Sequence, residues 1–186
     1  MRKDEQTANA PIAMMVARPS STLIIGLGNP ILGDDGVGWK VVEELSTQFG
    51  VPLGKEFQTV NVERLTFDCA SLGGLSLMER MLGYGRVILI DSLETGQNPV
   101  GTVRVFPLDS LTDPTAGHSA SAHDTTLMTA LKTAQAMGLS VPTSVDVVAI
   151  EAKNVYDFSE DLSPAVAKAV PLAVQAVINL LNKENP

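Results

Sequence analysis

The regular pattern of this chain opens with a strand, a tight turn and a helix, and this order restricts it to few folds. Residues 22–27 (TLIIGL) form a short apolar run of the β type, and residues 28–30 (GNP) end it with turn formers. Apolar side chains then recur at every fourth residue, at Val37, Val41, Leu45 and Phe49. Such spacing is helical, so the segment predicts a strand–turn–helix unit of the kind that builds parallel sheets.

Strands and helices continue to alternate along the rest of the chain. Apolar runs predict strands at residues 57–62, 86–90, 102–108 and 145–150. Helical spacing predicts helices at residues 72–82, 124–137 and 163–181, the last opened by a Ser-Pro pair. The connection between 86–90 and 102–108 is too short to contain a helix, so these two strands are expected to form an antiparallel pair. The predicted fold is α/β, a three-layer αβα sandwich with a mostly parallel, mixed sheet of about five strands.

The length of the chain indicates one domain. Its 186 residues are too few for two ordinary domains, and we assign residues 21–186 to a single α/β domain. Residues 1–20 are expected to be a flexible N-terminal tail rather than a signal peptide, because their apolar patch is short and has no clear cleavage site. No apolar run approaches the roughly 18 residues of a membrane helix. We therefore expect no membrane association.

Charge and cysteine content exclude further classes of protein. The net charge of −8 argues against a nucleic-acid binder, because phosphate backbones require clustered lysine and arginine. The single cysteine, Cys69, excludes an internal disulfide and fits a reducing, cytoplasmic location.

The glycine-rich turn after the first strand is the expected place for chemistry, since ligands of open α/β sheets bind beyond the carboxyl ends of strands. A dinucleotide-binding loop requires G-x-G-x-x-G, but Ile31 stands at the third glycine position, and Asp34 and Asp35 would repel a pyrophosphate. Residues 23–30 (LIIGLGNP) also resemble the opening of peptidyl-tRNA hydrolases. The T-R-H-N-x-G segment of that family is missing here, and no histidine precedes His118.

Asp91 follows the apolar run RVILI directly. A carboxylate at the carboxyl end of a buried strand lies at the edge of the sheet where sites form. From the residues alone, Asp91 either belongs to such a site or only begins a turn.

The whole turn resembles that of the hydrogenase maturation endopeptidases, which process the large subunit of nickel–iron hydrogenases. The shared pattern is G-x-G-N-x-x-x-x-D-[DE]-G-x-G, matched by Gly26, Gly28, Asn29, Asp34, Asp35, Gly36 and Gly38. Later segments, DCASLGGLSLME and VVAIEAKNVYDFSEDLSP, also resemble this family, so the similarity covers roughly residues 22–182. A structural turn whose acids only cap a helix would need one carboxylate, not two adjacent ones.

The resemblance implies three residues that contact a metal and take part in catalysis, namely Asp35, Asp91 and His123. His123 matches the family through ASAHDTTLMTAL, at the start of a predicted helix. His118 is the competing histidine, but it does not precede an apolar helical face. Two carboxylates and one imidazole suit nickel, zinc or a similar divalent ion.

The resemblance also implies an activity, a substrate and a metal source. The chain is expected to be an endopeptidase that removes the C-terminal peptide of a hydrogenase large-subunit precursor after nickel insertion, with the nickel supplied by that precursor. Zinc or cadmium could replace nickel in vitro. We expect a cytoplasmic monomer, with substrate selectivity in the loops at residues 72–75 and 109–122. The alternatives are a nickel-dependent assembly chaperone that does not cleave, or an esterase like the peptidyl-tRNA hydrolases.

Covalent nucleophiles are not indicated. Residues 117–121 (GHSAS) fall short of the G-x-S-x-G elbow, because Ser121 replaces its last glycine. Cys69 has no histidine nearby in sequence. Both segments are expected to be structural.

Overall fold

The computed structural model describes residues 18–50, 53, 60–62, 64–112 and 122–183. In this part of the chain, the strands are β1 (Arg18–Leu27), β2 (Val60–Val62), β3 (Leu65–Ala70), β4 (Tyr84–Leu93), β5 (Val103–Pro107) and β6 (Ser144–Glu151). The helices are α1 (Val37–Gln48), α2 (Gly74–Met81), α3 (Ala122–Ala136) and α4 (Pro164–Asn182), with 3₁₀ turns at Gly33–Gly36 and Leu108–Thr112. The strands form one sheet in the order β2-β3-β1-β4-β6-β5.

The sheet has an apolar core on each face, as expected for strands of a mainly parallel sheet. Ile24, Ile88 and Ile150 lie in the cluster that packs against α1 and α4. Side chains one residue away, such as Ile25 and Leu89, lie in the second cluster, against α2 and α3. Successive side chains along a strand thus belong to the two clusters in turn, because neighbouring strand residues point to opposite faces of the sheet. The three-layer αβα architecture is therefore confirmed.

β1 and α1 pack so closely that only glycine fits between them. A Cβ on Gly26 would meet the carbonyl oxygen of Gly38, and a Cβ on Gly38 would meet the carbonyl oxygens of Leu27 and Ile90. These two motif glycines let the first turn of α1 lie directly on the ends of β1 and β4.

The strand pattern differs from the prediction in two places. Of the predicted strand at 57–62, residues 60–62 form β2, and residues 57–59 lie outside the described residues. β1 lies between two parallel neighbours, β4 and β3, and the sequence did not indicate β3. Asp68 lies in the middle of β3 and interrupts its apolar pattern, and the Arg80 side chain compensates its burial at 2.9 Å. β5 runs antiparallel, but its partner is β6 rather than β4, because β6 inserts between them.

The observed starts of β1 and α4 can be compared with the predicted tail and the predicted last helix. β1 begins at Arg18, so the first strand extends into the predicted tail, whose residues 1–17 lie outside the described residues. Ser163 and Pro164 open α4 as predicted.

Within the described residues, α4 is long and apolar enough to cross a membrane, with a mean hydropathy of 1.5. This corrects the expectation that no stretch of that length exists. Seven α4 side chains, Val166, Ala169, Val170, Ala173, Val174, Val177 and Leu180, are buried in this domain. Packing against the sheet and α1 therefore accounts for the apolar face of α4.

Candidate active site

The carboxyl ends of β1 and β4 form the crevice of this sheet. The chain leaves β1 through α1 toward β3 on one side, whereas β4 lies on the other side of β1. Adjacent strands whose connections run in opposite directions leave an opening between them, and ligands of open α/β sheets bind there. The loop after β1 and the end of β4 supply the side chains of this opening.

Asp35 is held in place from two sides. Its Oδ2 accepts a 2.7 Å hydrogen bond from the backbone N–H of Asn29, and its Oδ1 accepts one of 3.2 Å from the Ser92 hydroxyl. Gly28, with φ of +107°, brings the loop so close that a Cβ there would meet the carbonyl oxygen of Asp35. The half-buried carboxylate of Asp35 therefore has a fixed position at the opening.

Asp91 lies on β4 at the same opening. The strand does not end at Asp91, as the sequence predicted, but continues to Leu93, because β6 remains paired with it. The pairing with β1 reaches only Ile90, opposite Gly26. Asp91 is thus the first residue after the part of β4 that pairs with β1. The Asp91 Oδ1 accepts a 2.8 Å hydrogen bond from the Ser92 N–H.

Ser92 joins the two carboxylates, because its hydroxyl donates to Asp35 while its backbone amide donates to Asp91. Sequence reasoning did not select this residue. A serine after an aspartate is common in loops and strand ends, and only the fold brings residue 92 to residue 35. The structure thus places Asp35 in contact with the residue that follows Asp91, so two of the three predicted site residues lie at the same opening.

Asp34 has a different role from Asp35, although both match the motif. The Asp34 side chain is fully buried. Its Oδ1 accepts a 2.7 Å bond from the Ser163 N–H, and its Oδ2 accepts bonds from the Ser163 hydroxyl at 3.0 Å and the Asn154 N–H at 3.3 Å. The hydrogen bonds of Asp34 therefore connect the loop between β1 and α1, here called the first loop, to the segment that leads into α4.

His123 is the second residue of α3. The segment after α3 reaches the beginning of the parallel strands, where the Gly83 N–H donates to the Ser140 carbonyl. The first turn of α3 is therefore the end of the helix directed toward the opening. The His123 side chain and the whole of His118 lie outside the described residues.

The donor set of the opening consists of hard oxygen ligands. Among the side chains that the structure describes, no group of three or more His, Cys, Asp and Glu could hold a metal ion. Each carboxylate oxygen of Asp35 accepts one hydrogen bond in the structure and has capacity for a further contact. Two aspartates at one edge fit a divalent cation, and an imidazole from α3 would make the set suitable for nickel or zinc.

Cys69 is unsuited to nucleophilic chemistry, as predicted. It lies in β3 and is buried in the core cluster against α1. Burial, followed by the carboxylates of Asp68 and Glu43, raises the pKa of the Cys69 thiol to about 12. A thiol needs to ionise to act as a nucleophile, so Cys69 is a core residue. The GHSAS segment lies outside the described residues.

The raised pKa of Cys69 predicts a loss of stability at alkaline pH. The folded thiol remains protonated up to pH about 12, whereas in the unfolded chain it ionises near the ordinary value of 9.0. Ionisation stabilises the unfolded state, so the free energy of unfolding falls as the pH rises above 9, by about 1.4 kcal/mol per pH unit. Urea unfolding at pH 7.5 and at pH 10 should show a larger loss for the wild type than for Cys69→Ala. Equal losses would contradict the buried, protonated thiol.

Comparison with known proteins identifies relatives of this chain. The family model of the hydrogenase maturation proteases (HycI) matches residues 40–180. The hydrogenase expression/formation protein HupD of Rhodobacter capsulatus is 25% identical over 168 residues, which cover 90% of this chain and 74% of that protein.

Solved structures have the same fold. The hydrogenase maturating endopeptidase HybD of E. coli superposes with a TM-score of 0.66 at 19% identity, covering 89% of this chain and 94% of HybD. The hydrogenase 2 maturation peptidase of Thaumarchaeota archaeon SCGC_AB-539-E09 gives a TM-score of 0.54 at 26% identity, covering 87% of this chain and 97% of the other.

Proposed function

This chain belongs to the hydrogenase maturation protease family, and we propose that it removes the C-terminal peptide of a nickel–iron hydrogenase large-subunit precursor after nickel insertion. The reaction would take place in the cytoplasm, with a monomeric enzyme that binds the precursor transiently. The observation that supports this function is the position of Asp35 and Asp91 at the same opening of the sheet, where the Ser92 hydroxyl donates to Asp35 and the Ser92 N–H donates to Asp91.

The nickel in this proposal belongs to the substrate. Asp35, Asp91 and His123 would contact the ion that the precursor already holds, so only a loaded precursor would be accepted. Carboxylate and imidazole donors suit nickel bound partly by other ligands, because they leave coordination positions to the precursor. Zinc or cadmium could occupy the same donors in vitro.

Hydrolysis of the precursor needs a water molecule and a proton acceptor. Water adds to the scissile carbonyl carbon, the C–N bond breaks, and the departing amine takes up a proton. An aspartate of the pair can accept the proton of the attacking water and pass it to the leaving amine. The hydrogen bonds from Asn29 and Ser92 orient Asp35 for this task.

Incubation with purified large-subunit precursor tests the proposal. The nickel-loaded precursor should lose the mass of its C-terminal peptide, and the nickel-free precursor should keep its mass. Stable binding of the loaded precursor without a change of mass would instead identify an assembly chaperone. Hydrolysis of peptidyl-tRNA that does not depend on Asp91 would identify an esterase like the peptidyl-tRNA hydrolases.

Ser92→Ala should slow the processing about 10- to 100-fold, the range expected when a residue that orients metal ligands is removed. The alanine removes the hydroxyl that donates to Asp35 but keeps the backbone N–H that donates to Asp91. Ser92→Thr keeps a hydroxyl and should restore most of the rate.

Ser71→Ala is the matched control, because Ser71 also donates to the first loop, to the Gly28 carbonyl at 2.7 Å. Processing rates and melting temperatures of all three variants would be compared. Normal processing by Ser92→Ala would contradict a positioning role.

A further inference from the structure

An exposed apolar surface lies beside the acidic opening. Phe158 is 87% exposed and Tyr156 is 80% exposed, both in the segment between β6 and α4, and Ile31 in the loop after β1 is 47% exposed. We call these three residues the apolar rim. Large aromatic side chains in water, grouped beside a site, mark a surface that binds another molecule.

The apolar rim has a fixed backbone. The Gly33 N–H donates to the Ser159 carbonyl at 2.7 Å, and the Ser159 N–H donates to the Ile31 carbonyl at 3.1 Å. These bonds link the segment between β6 and α4, here called the aromatic segment, to the loop that holds Asp35. The Asp34 carboxylate accepts hydrogen bonds at both ends of this segment, from Asn154 and Ser163. A surface that is ordered before binding loses little conformational entropy when a partner docks.

The other side of the first loop is apolar as well. The Ser71 hydroxyl donates to the Gly28 carbonyl, which attaches the loop after β3 to the loop after β1. Leu75 at the beginning of α2 is 62% exposed, and Leu72 is 41% exposed. This is the predicted selectivity loop at residues 72–75. The other predicted selectivity loop, 109–122, lies mostly outside the described residues.

Charges near the apolar rim are mainly negative. Asp157, Glu160 and Asp161 are exposed in the aromatic segment, and Lys153 is the exposed cation of the same segment. A partner that fits this surface therefore presents apolar side chains beside lysine or arginine, since electrostatic complementarity selects partners of opposite charge.

We propose that the apolar rim docks the protein substrate, through a segment of that substrate that combines apolar and basic side chains. This inference rests on the proposed function, because the acidic opening next to the rim is where the substrate would be cut. Tyr156 and Phe158 would supply binding energy away from the scissile bond. The rim would thus determine which precursor is processed.

The double variant Tyr156→Ala/Phe158→Ala tests the docking surface with the full chain and the nickel-loaded precursor. KM should rise at least about tenfold with a much smaller change in kcat, because truncating aromatic anchors of an interface typically costs this much or more. The matched control is Met137→Ala/Leu139→Ala. Met137 is 72% exposed, but it follows α3, in the segment that reaches the beginning of the parallel strands. The control should keep its KM within about twofold, as expected for a surface change away from an interface.

A second variant tests the charge of the partner. Asp157→Asn/Glu160→Gln/Asp161→Asn should raise KM severalfold at low salt, and the difference from wild type should shrink as salt screens the charges. An unchanged KM in this variant would overturn the basic character of the docking segment.

Unchanged KM in the aromatic variant, or an equal rise in the control, would overturn the docking surface itself. A change of oligomeric state with unchanged KM would overturn it too, and would identify a surface for self-association. If the wild type cleaves no loaded precursor, the proposed function fails instead. Direct binding of the precursor to the wild type and the aromatic variant would then still decide whether the rim docks it, so the two failures are distinguishable.

Discussion

Asp91→Asn is expected to abolish processing of the nickel-loaded precursor, with a fall in rate of at least about 10²-fold. The asparagine keeps an oxygen that can accept the hydrogen bond from the Ser92 N–H. It removes the negative charge that would contact the cation or accept a proton from water. The fold should therefore persist while the chemistry is lost. Mass spectrometry of the precursor over time measures the rate, and circular dichroism with thermal melting measures the fold.

Glu94→Gln is the matched control for Asp91→Asn. Glu94 is exposed and follows the end of β4, so its replacement removes one charge near the same edge without touching the pair. The control should process at close to the wild-type rate. Normal processing by Asp91→Asn would show that the site has been assigned to the wrong residue, and a loss in Glu94→Gln of similar size would indicate a general charge effect.

Asp34→Ala is expected to reduce stability by at least about 4.5 kcal/mol, because its carboxylate accepts three hydrogen bonds, and hydrogen bonds to a charged group contribute about 1.5–3 kcal/mol each. The change removes the acceptor of the Ser163 N–H and hydroxyl and of the Asn154 N–H. It also leaves these donors inside the protein without the buried carboxylate. Since a domain is stable by only about 5–15 kcal/mol, the loss is a large fraction of the total. Urea unfolding followed by circular dichroism gives the value.

Asp35→Ala separates the two neighbouring acids. Asp35 is half-buried and accepts two hydrogen bonds at the opening, so its loss should reduce stability much less than the loss of Asp34. It should nevertheless stop processing. Equal destabilisation by the two replacements would contradict the separate roles that the structure gives them.

The helices and the central strands could be predicted because their signals are local. Val41 and Leu45 recur with the period of α1, and the apolar run RVILI identifies the centre of β4. β3 was missed because its buried Asp68 breaks the apolar pattern, and its partner Arg80 lies on α2. Strand partners were not predictable from connection length, because β6 enters between β4 and β5 from a distant part of the chain.

The residues of the candidate site were likewise found partly from the sequence and partly from the structure. The motif drew attention to Asp35, and the end of an apolar run drew attention to Asp91. Ser92 carries no signal of its own, since its importance comes from a hydrogen bond to a residue 57 positions away. The exposure of Tyr156 and Phe158 was not predictable either, because aromatic side chains are usually buried.

The sequence by itself determined the helices and most of the strands of this chain, with β3 as the exception, and which glycines allow the first turn. Periodicity and backbone freedom are properties of neighbouring residues, so they can be read along the chain. Only the tertiary structure decided that Asp34 is a buried anchor while Asp35 faces the opening. The physical reason is that burial and hydrogen-bond partners of these acids come from β4 and the segment before α4, which lie next to them only after folding.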